Sequence, residues 1–559
     1  GEEFTHPFVP YDKDERLIPR LYEILKHKGI EKREIKEAVL AARAEQQAFK
    51  RDVEAEGERA IAYAREHHKK AIVLSGRPYH LDTEINHGID KMITSYDMVV
   101  LSEDAVCHMG KLPRPIRVLD QWSYHSRLYR AADYVCQRDG VELVQLNSFG
   151  CGVDAVTTDQ VEEILERSNK LYTLLKIDEG NNLGAVRIRI RSLAAAMEER
   201  DKNGIKAVHN LKPYTRAYFT KEMRKDYTLL IPQMSPIHFQ YLEVALKACG
   251  YNAVVIPTVD KHAIDEGLKY VNNDACYPTL VTLGKMISTL KSGEYDLNKT
   301  ALVMSQTGGG CRASNYIALL RKALKDLHME QVPVVSFNMA GLESNPGFKI
   351  TPAMGKRLLL AVMYGDLFQR LLYATRPYEE VPGAAEGIMK KYEAAIFENC
   401  RDGNFSTYKQ LVQEIVRDYD TMPLRRIKKP RVGVVGEILV KYHPDANNNI
   451  VDIIEKEGGE AVVLDLIDFF LYGMYSKKFN YENLSGTYQQ YKLNQAAIAL
   501  VEQFRRPLRK ALRQSRRFEE PSYIQKTAEE ASEIASIGNQ CGEGWLLTGE
   551  MIELIKDGA

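Results

Sequence analysis

Four of the eight cysteines in this chain of 559 residues share one local setting, a polar loop that leads into a predicted helix. They are Cys151, Cys276, Cys311 and Cys541. The unpaired amides and the dipole at a helix N-terminus favour an anion, so a thiolate forms more readily there. Several such thiolates, each supported by a helix N-terminus, could converge on one anionic inorganic group.

The most informative stretch is residues 305–316, with the sequence Ser-Gln-Thr-Gly-Gly-Gly-Cys-Arg-Ala-Ser-Asn-Tyr. A short apolar run precedes it and predicts a buried strand, and a helical pattern follows it. Gly308, Gly309 and Gly310 would let the backbone turn sharply and come close to a bound group. Cys311 then lies at the helix start. The alternative is a glycine-rich turn whose cysteine has no chemical role.

The other three cysteines repeat this arrangement. The helices that follow the four cysteines are predicted near residues 158–167, 280–290, 315–327 and 546–555. Pro278 is well placed for the first turn of the helix after Cys276. No two cysteines are spaced as Cys-x-x-Cys, so the sequence lacks the usual zinc-ribbon and ferredoxin patterns. A metal site would therefore have to be assembled from distant segments.

Composition excludes several classes of function. The 76 basic and 76 acidic residues balance, so nothing favours nucleic acid or an anionic membrane as a partner. No apolar run reaches the roughly 18 residues of a membrane span, and no signal peptide is recognisable. Widely spaced cysteines favour free thiols or metal ligands over disulfides, and the sequence predicts a cytoplasmic protein. The chain starts with Gly1 rather than Met, which suggests a processed or recombinant fragment.

Apolar runs alternate with helical patterns along most of the chain, which is typical of parallel, doubly wound sheets. The predicted strands are residues 71–74, 97–101, 141–146 and 174–177, then 228–231, 253–256, 301–304 and 332–335, and finally 431–435 and 461–464. The sequence therefore predicts an α/β protein with two doubly wound units and a partial third.

The predicted domains are a helical arm over residues 1–70, α/β domains over 71–205 and 226–375, a helical connector over 376–430, and a partial α/β and helical domain over 431–559. Two strands are too few for an independent sheet. The last domain is therefore expected either to complete another sheet or to be cut short by the end of the chain. Its basic run from Arg505 to Arg517 is expected to be a solvated helix face.

Doubly wound sheets bind ligands beyond the carboxyl ends of their strands. Cys276 and Cys311 both fall in such loops of the second unit, and Cys151 falls in one of the first. We expect Cys276 and Cys311 to share a site within one domain and Cys151 to approach from the facing domain. The sulfur ligands of one cluster would have to lie within roughly 6–7 Å of each other.

Several motifs resemble those of one protein family. They are Gly76-Arg77-Pro78-Tyr79-His80, Asp120-Gln121-Trp122 with Ser126-Arg127-Leu128-Tyr129, residues 147–160, Asp274-Ala275-Cys276-Tyr277-Pro278, residues 307–316, Gly436-Glu437-Ile438 and Gly542-Glu543-Gly544-Trp545. In these motifs the chain resembles the large acyl-CoA dehydratase activase-related proteins, often described as CoA-substrate-specific enzyme activases. That family is related to the 2-hydroxyacyl-CoA dehydratases and the double-cubane cluster proteins. The resemblance covers nearly the whole chain.

The resemblance implies flavodoxin-like domains whose cysteines hold an iron–sulfur cluster, of the [4Fe–4S] type or of a larger double-cubane form. It also implies an ATP-hydrolysing activase that delivers low-potential electrons, a small or CoA-linked substrate, and a homodimer as one compatible assembly. The implied metal ligands are Cys151, Cys276, Cys311 and Cys541. The implied contacts to the cofactor come from Gly308, Gly309, Gly310, Arg312 and Asn315.

Three departures from the family pattern limit what can be carried over. The sequence has no ATPase module and no phosphate-binding ATPase motif, so it resembles the cluster-bearing part of a longer polypeptide and is not expected to hydrolyse ATP. Proteins of the family usually continue past the position of Ala559 with another cysteine-bearing strand and loop. They are also expected to carry Thr at position 541, which makes Cys541 the least secure ligand.

The function that the sequence predicts is an iron–sulfur electron-transfer or reductase component of a dehydratase-like system, reduced by an ATP-dependent activase. Glu437 or Glu543 could serve as an acid or base, although a carboxylate beside glycine is more often a cap or a surface group. One alternative is a cluster-free module that binds CoA or a partner protein. Another is a zinc site at the same cysteines.

Overall fold

A computed structural model describes residues 4–148, 152–178, 180, 183–257, 261–338 and 341–559. Over these residues the chain is a mixed α/β protein with two four-stranded sheets and one two-stranded sheet. All strand pairs within these sheets are parallel. The prediction of parallel α/β units is therefore confirmed.

Two helices form the N-terminal part of the chain, α1 (Asp14–Leu25) and α2 (Lys32–Glu66). α2 is one continuous helix of 35 residues, and a reciprocal capping box closes its start. Gly57 marks the point where α2 crosses the unit of the first large sheet, which follows it in the chain. A Cβ on Gly57 would lie only 2.3 Å from the carbonyl oxygen of Ala105, so the two backbones are in direct contact.

The first large sheet contains β1 (Ala71–Ser75), β2 (Val99–Ser102), β3 (Val141–Asn147) and β4 (Tyr172–Lys176). Its helices are α3 (Thr83–Asn86), α4 (Ile89–Thr94), α5 (Glu103–Val106), α6 (Ser123–Cys136), α7 (Val153–Glu166) and α8 (Gly184–Lys202). The strand order is β2-β1-β3-β4. Every residue of β1 and β3 is buried, as expected for central strands covered by helices on both faces.

The second large sheet repeats this order as β6-β5-β7-β8. Its strands are β5 (Thr228–Ile231), β6 (Asn252–Val255), β7 (Thr300–Ser305) and β8 (Val334–Phe337). Its helices are α9 (Met223–Asp226), α10 (Pro236–Ala248), α11 (Lys261–Tyr270), α12 (Tyr277–Lys291) and α13 (Tyr316–Asp326). Both orders are those of the first four strands of a flavodoxin-like sheet, which binds ligands where the order reverses.

The helices α11 and α12 touch through their backbones at two glycines. A Cβ on Gly284 would lie 2.0 Å from the carbonyl oxygen of Ala263, and one on Gly267 would lie 2.4 Å from that of Leu280. No larger residue could replace either glycine without displacing a helix. This close packing fixes the position of α12, and with it the loop that carries Cys276.

The third sheet has only β9 (Arg431–Val434) and β10 (Glu460–Val463) and does not join either larger sheet. The helices around it are α14 (Pro352–Thr375), α15 (Ala384–Asp402), α16 (Phe405–Thr421), α17 (Ile438–Tyr442), α18 (Ile450–Lys456), α19 (Ile467–Asn483), α20 (Tyr488–Gln514), α21 (Ile524–Ser532) and α22 (Gly544–Lys556). A Cβ on Gly433 would lie 2.8 Å from Leu554, so α22 covers β9 directly. Burial under helices thus replaces the missing strands.

The prediction that residues 505–517 form a solvated face is wrong for two of their arginines. Arg505 is fully buried in the helical region, where it donates to Asp465 at 2.6 Å and to Asp468 at 2.7 Å. Arg509 is also buried and pairs with Glu502. The partners of Arg505 come from the β10–α19 loop and from α19, whereas Glu502 lies on α20 itself. A basic run alone therefore does not show which of its arginines will be paired and buried.

Candidate functional site

Cys276 immediately precedes α12, which returns the chain to the start of β7, so its thiol lies on the carboxyl side of the second sheet. Its backbone is extended, with φ −69° and ψ 156°, and Pro278 occupies the first helical turn. The sulfur lies 2.7 Å from the Tyr316 hydroxyl and 3.1 Å from the Thr279 hydroxyl. The predicted sequence of loop, cysteine and helix start is therefore present here.

Cys311 follows the glycine loop after β7, in which Gly308 has a φ of +76° that favours glycine. Cys311 precedes a short 3₁₀ turn, Arg312–Asn315, that continues into α13. The cysteine therefore lies one short turn before the helix that the sequence predicts. It is also on the carboxyl side of the second sheet, as Cys276 is.

The surroundings of the Cys311 thiol link it to the second cysteine and to a carboxylate. Burial raises the pKa of the Cys311 thiol. The Ala313 amide and the Arg312 guanidinium act in the opposite direction on this pKa, while Cys276 and Glu543 raise it further. The charges of Cys276 and Glu543 thus act on the Cys311 thiol in the same direction as burial.

The glycine loop is held by the first unit as well as by its own helix. The Gln121 side-chain amide donates to the Gly309 carbonyl at 2.8 Å, and the Ser314 hydroxyl donates to the same oxygen at 3.0 Å. The Leu119 amide donates to Oδ1 of Asn315 at 2.7 Å. Asn315 is fully buried, so this oxygen fixes the junction between the two units. Its predicted contact with a cofactor stays a prediction.

The loop before Cys276 is also fixed by the first unit. The side-chain amide of Asn272 donates to the carboxylate of Asp159 on α7 at 2.9 Å. Asp274 accepts from Lys176 at 2.6 Å and from Asn147 at 3.4 Å, at the ends of β4 and β3. The carboxyl ends of the two sheets therefore face each other, and the two cysteine loops lie at that junction.

Two carboxylates from the third part of the chain join this junction. Glu437 accepts from the Val440 amide at 3.1 Å, and Glu543 accepts from the Ile438 amide at 3.0 Å. Burial raises the pKa of Glu437 to about 7, and the neighbouring Glu543 contributes to this rise. Both carboxylates therefore cap the start of α17. A cap is the more ordinary role expected for a carboxylate beside glycine. Glu437 is also a partly buried carboxyl group, and its pKa of about 7 leaves it about half protonated at neutral pH.

Cys541 approaches the glycine loop from the C-terminal region. A Cβ on Gly310 would lie 3.5 Å from its sulfur, although the Cys541 residue itself is exposed. The Tyr472 hydroxyl donates to the carbonyl of Gly542 at 3.2 Å and so fixes the loop that carries the cysteine. A Cβ on Gly544 would lie 2.0 Å from the Asn539 carbonyl oxygen, so this turn requires glycine.

Cys151, the remaining predicted ligand, lies outside the described residues. The residue after it, Gly152, is described. A Cβ on Gly152 would lie 3.3 Å from Nη1 of Arg312. Arg312 also lowers the pKa of Cys311 and of Glu437, so its guanidinium lies among the predicted site residues.

The junction has room beside its glycines. A Cβ on Gly309, Gly436 or Gly542 would meet no described atom within 4 Å. Among the residues that the structure describes, no three His, Cys, Asp or Glu side chains are grouped closely enough to hold a metal ion. Cys151, one of the predicted ligands, is not among those residues.

A second polar group lies around Asp154, at the carboxyl end of the first sheet. Arg77 donates to Asp154 at 3.0 Å, and His125 lies 3.4 Å from the same carboxylate. His80 accepts from the Arg77 amide at 3.0 Å, and burial lowers the pKa of His80 to about 4. His80 is therefore neutral near pH 7 and holds the Gly76–His80 turn, in keeping with a structural role.

The sequence did not predict the two hydroxyls at Cys276 or the clamp at Gly309. Thr279 lies three residues after its cysteine, which is a spacing that sequence can show. Tyr316 lies 40 residues after Cys276 in the chain. Gln121 belongs to the first unit, whereas Gly309 belongs to the second. Only the folded chain brings each of these pairs together. Tyr316 does belong to the stretch 305–316, but as its last residue it gave no sign of contacting a different cysteine.

No helix in the described ranges combines the length and apolar character needed to cross a membrane.

Comparison with known proteins identifies one related family. Residues 1–106 match the family model of the CoA enzyme activase uncharacterised domain. No curated protein and no solved structure matches the chain. The matched segment includes α1, α2, β1 and β2. This part of the chain is therefore similar to a CoA enzyme activase domain, and of the motifs that carry the resemblance it contains Gly76-Arg77-Pro78-Tyr79-His80.

Proposed function

We propose that this chain is the cluster-bearing component of a CoA-related activase system. It would hold an iron–sulfur cluster where the two large sheets meet, accept low-potential electrons from an ATP-dependent activase, and pass them to a small or CoA-linked substrate. The relation of residues 1–106 to CoA enzyme activases supports the activase partnership. The observation that supports the cluster is geometric: Cys276 and Cys311 each precede a helix on the carboxyl side of the second sheet, and the Tyr316 hydroxyl, five residues after Cys311, lies 2.7 Å from the Cys276 sulfur.

The donor chemistry of the junction fits such a cluster. Iron–sulfur clusters are held by cysteine thiolates, and partial burial with nearby hydrogen-bond donors sets their reduction potential. Cys276 and Cys311 are both partly buried, and the space beside Gly309 and Gly436 is open. Cys276 and Cys311 would be the primary ligands, joined by Cys151 and by Cys541 as the least secure. When bound, the cluster would supply one-electron transfer at low potential.

Glu437 is the group at this junction that would give or take a proton. It is partly buried, and the amide of its neighbour Ile438 donates to Glu543, which lies two residues after Cys541 in the chain. Its pKa of about 7 suits an acid or base near neutral pH. Glu543 would fix the start of α17 through the Ile438 amide. Where the substrate takes up a proton together with an electron, the Glu437 carboxyl group would supply that one proton.

Iron and acid-labile sulfide in anaerobically prepared protein test the proposal. Cys276→Ala and Cys311→Ala should each lose most bound iron and sulfide, because alanine offers no ligand. The matched controls are Cys249→Ala and Cys400→Ala, which should keep the wild-type content because Cys249 ends α10 and Cys400 is fully buried in α15. Stoichiometric zinc without sulfide would instead support a zinc site, and a metal-free wild type would favour the cluster-free alternative.

A further inference from the structure

Two hydroxyl groups converge on the sulfur of Cys276. Tyr316 approaches from the start of α13, with its oxygen 2.7 Å from Sγ. Thr279 approaches from the first turn of α12, with its oxygen 3.1 Å from the same atom. Each hydroxyl carries one hydrogen that it can donate, and a sulfur without a proton can accept both.

Both hydroxyls are held in place and shielded from water. Thr279 is fully buried, and its amide donates to the Cys276 carbonyl at 2.9 Å, which fixes the turn. Tyr316 is 9% exposed and packs in the same core as Ile317 and Leu320. A phenol carries its proton at neutral pH, so Tyr316 is a hydrogen-bond donor. A hydrogen bond in such a dry setting is stronger than in water.

We propose that Tyr316 and Thr279 are positioning residues that donate hydrogen bonds to the metal-bound sulfur of Cys276 and raise the reduction potential of the cluster. This inference rests on the proposed function. Hydrogen bonds to the sulfur withdraw negative charge from it, and the reduced cluster carries more negative charge than the oxidised one. Donors at the sulfur therefore stabilise the reduced form more than the oxidised form.

The test uses the reconstituted wild-type chain and two variants, Tyr316→Phe and Thr279→Val. Each variant removes one hydroxyl while keeping most of the side-chain shape. The matched control is Tyr364→Phe, because Tyr364 is also buried and also makes a 2.7 Å hydrogen bond, but to Asn399 rather than to a sulfur. The readouts are iron and sulfide content, the midpoint potential from an EPR-monitored redox titration, and the iron–cysteine stretching bands in resonance Raman spectra.

We expect Tyr316→Phe and Thr279→Val to retain the cluster with a more negative midpoint potential. Their iron–cysteine stretching frequency should rise, because the iron–sulfur bond strengthens when a donor is lost. The control should match the wild type. Variants that hold the cluster with unchanged potential and unchanged Raman bands would overturn the role of the hydroxyls while leaving the proposed function in place. A wild type without iron and sulfide would overturn the proposed function, and this inference with it.

Discussion

Gly152 and Arg312 are in contact, because a Cβ on Gly152 would lie only 3.3 Å from Nη1 of Arg312. Each of these residues directly follows a cysteine that the sequence singles out, Cys151 and Cys311. Gly152 belongs to the unit of the first sheet and Arg312 to that of the second. The sequence neighbours of two predicted ligands are thus brought together from distant parts of the chain.

This contact supports a prediction about Cys151. Cys151→Ala should lower the iron and sulfide content of anaerobically prepared protein, because one thiolate ligand is lost. The matched control is Cys107→Ala, since Cys107 is buried in the same unit and its thiol lies 3.8 Å from the Asp104 carbonyl, away from the glycine loop. Equal metal content in the wild type and both variants would remove Cys151 from the ligand set.

A second prediction concerns the packing of His238 against α14. His238 is fully buried between the Ser235 hydroxyl at 2.7 Å and the Asp366 carboxylate at 3.0 Å. A Cβ on Gly365 would lie 2.2 Å from the His238 ring. Gly365→Ala should therefore lower the free energy of unfolding by about 1–3 kcal/mol, measured by urea denaturation.

Gly355→Ala is the control on the same helix. A Cβ on Gly355 would meet no described atom within 4 Å, so the added methyl group has room. Alanine restricts the unfolded chain more than glycine does, and we expect a gain in stability of about 0.4–1 kcal/mol. Equal losses in both variants would mean that close packing on His238 is not the cause.

A third prediction concerns the pH dependence of stability at Glu103. Burial raises the pKa of this carboxyl group to about 7 from an ordinary 4.5, although Arg127 lies 2.9 Å away and opposes the shift. Between these two pKa values the folded chain holds a proton that the unfolded chain has released. This contribution to stability therefore falls as the pH rises through that window. As the pH rises from about 5 to 7, the thermal midpoint of unfolding should fall less steeply in Glu103→Gln than in the wild type.

Glu163 provides the control, because the pKa of its carboxyl group is shifted in the direction opposite to that of Glu103. Burial would raise the pKa of its carboxyl group, but the Arg117 guanidinium at 2.8 Å outweighs burial and lowers it. Its contribution is present above the ordinary pKa and is lost only as the pH falls through the folded value. Glu163→Gln should therefore lower the midpoint without changing its slope between pH 5 and 7. A flattened slope in this variant, with none in Glu103→Gln, would contradict the assignment.

The sequence was enough to predict the parallel sheets and the local setting of Cys276 and Cys311. Alternating apolar runs and helical patterns gave the parallel α/β class, and the loops before α12 and α13 lie where their glycine and proline residues predict. These features depend on near neighbours in the chain. They are therefore readable without knowledge of the tertiary structure.

What the sequence could not give depends on contacts between distant segments. The burial of Arg505 follows from Asp465 and Asp468, which belong to another element of the fold. The contact between Tyr316 and Cys276 likewise requires that α12 and α13 meet at their N-terminal ends. Charge and spacing in one segment do not specify such partners, so a basic run on its own predicts a solvated face.

The measurement that tests the central claim most directly is an iron-edge anomalous difference map from crystals of anaerobically prepared protein. The proposed function predicts anomalous iron density bonded to the sulfur atoms of both Cys276 and Cys311, at the junction of the two large sheets. Iron-free crystals, a zinc-edge signal alone, or iron density that contacts neither sulfur would contradict it.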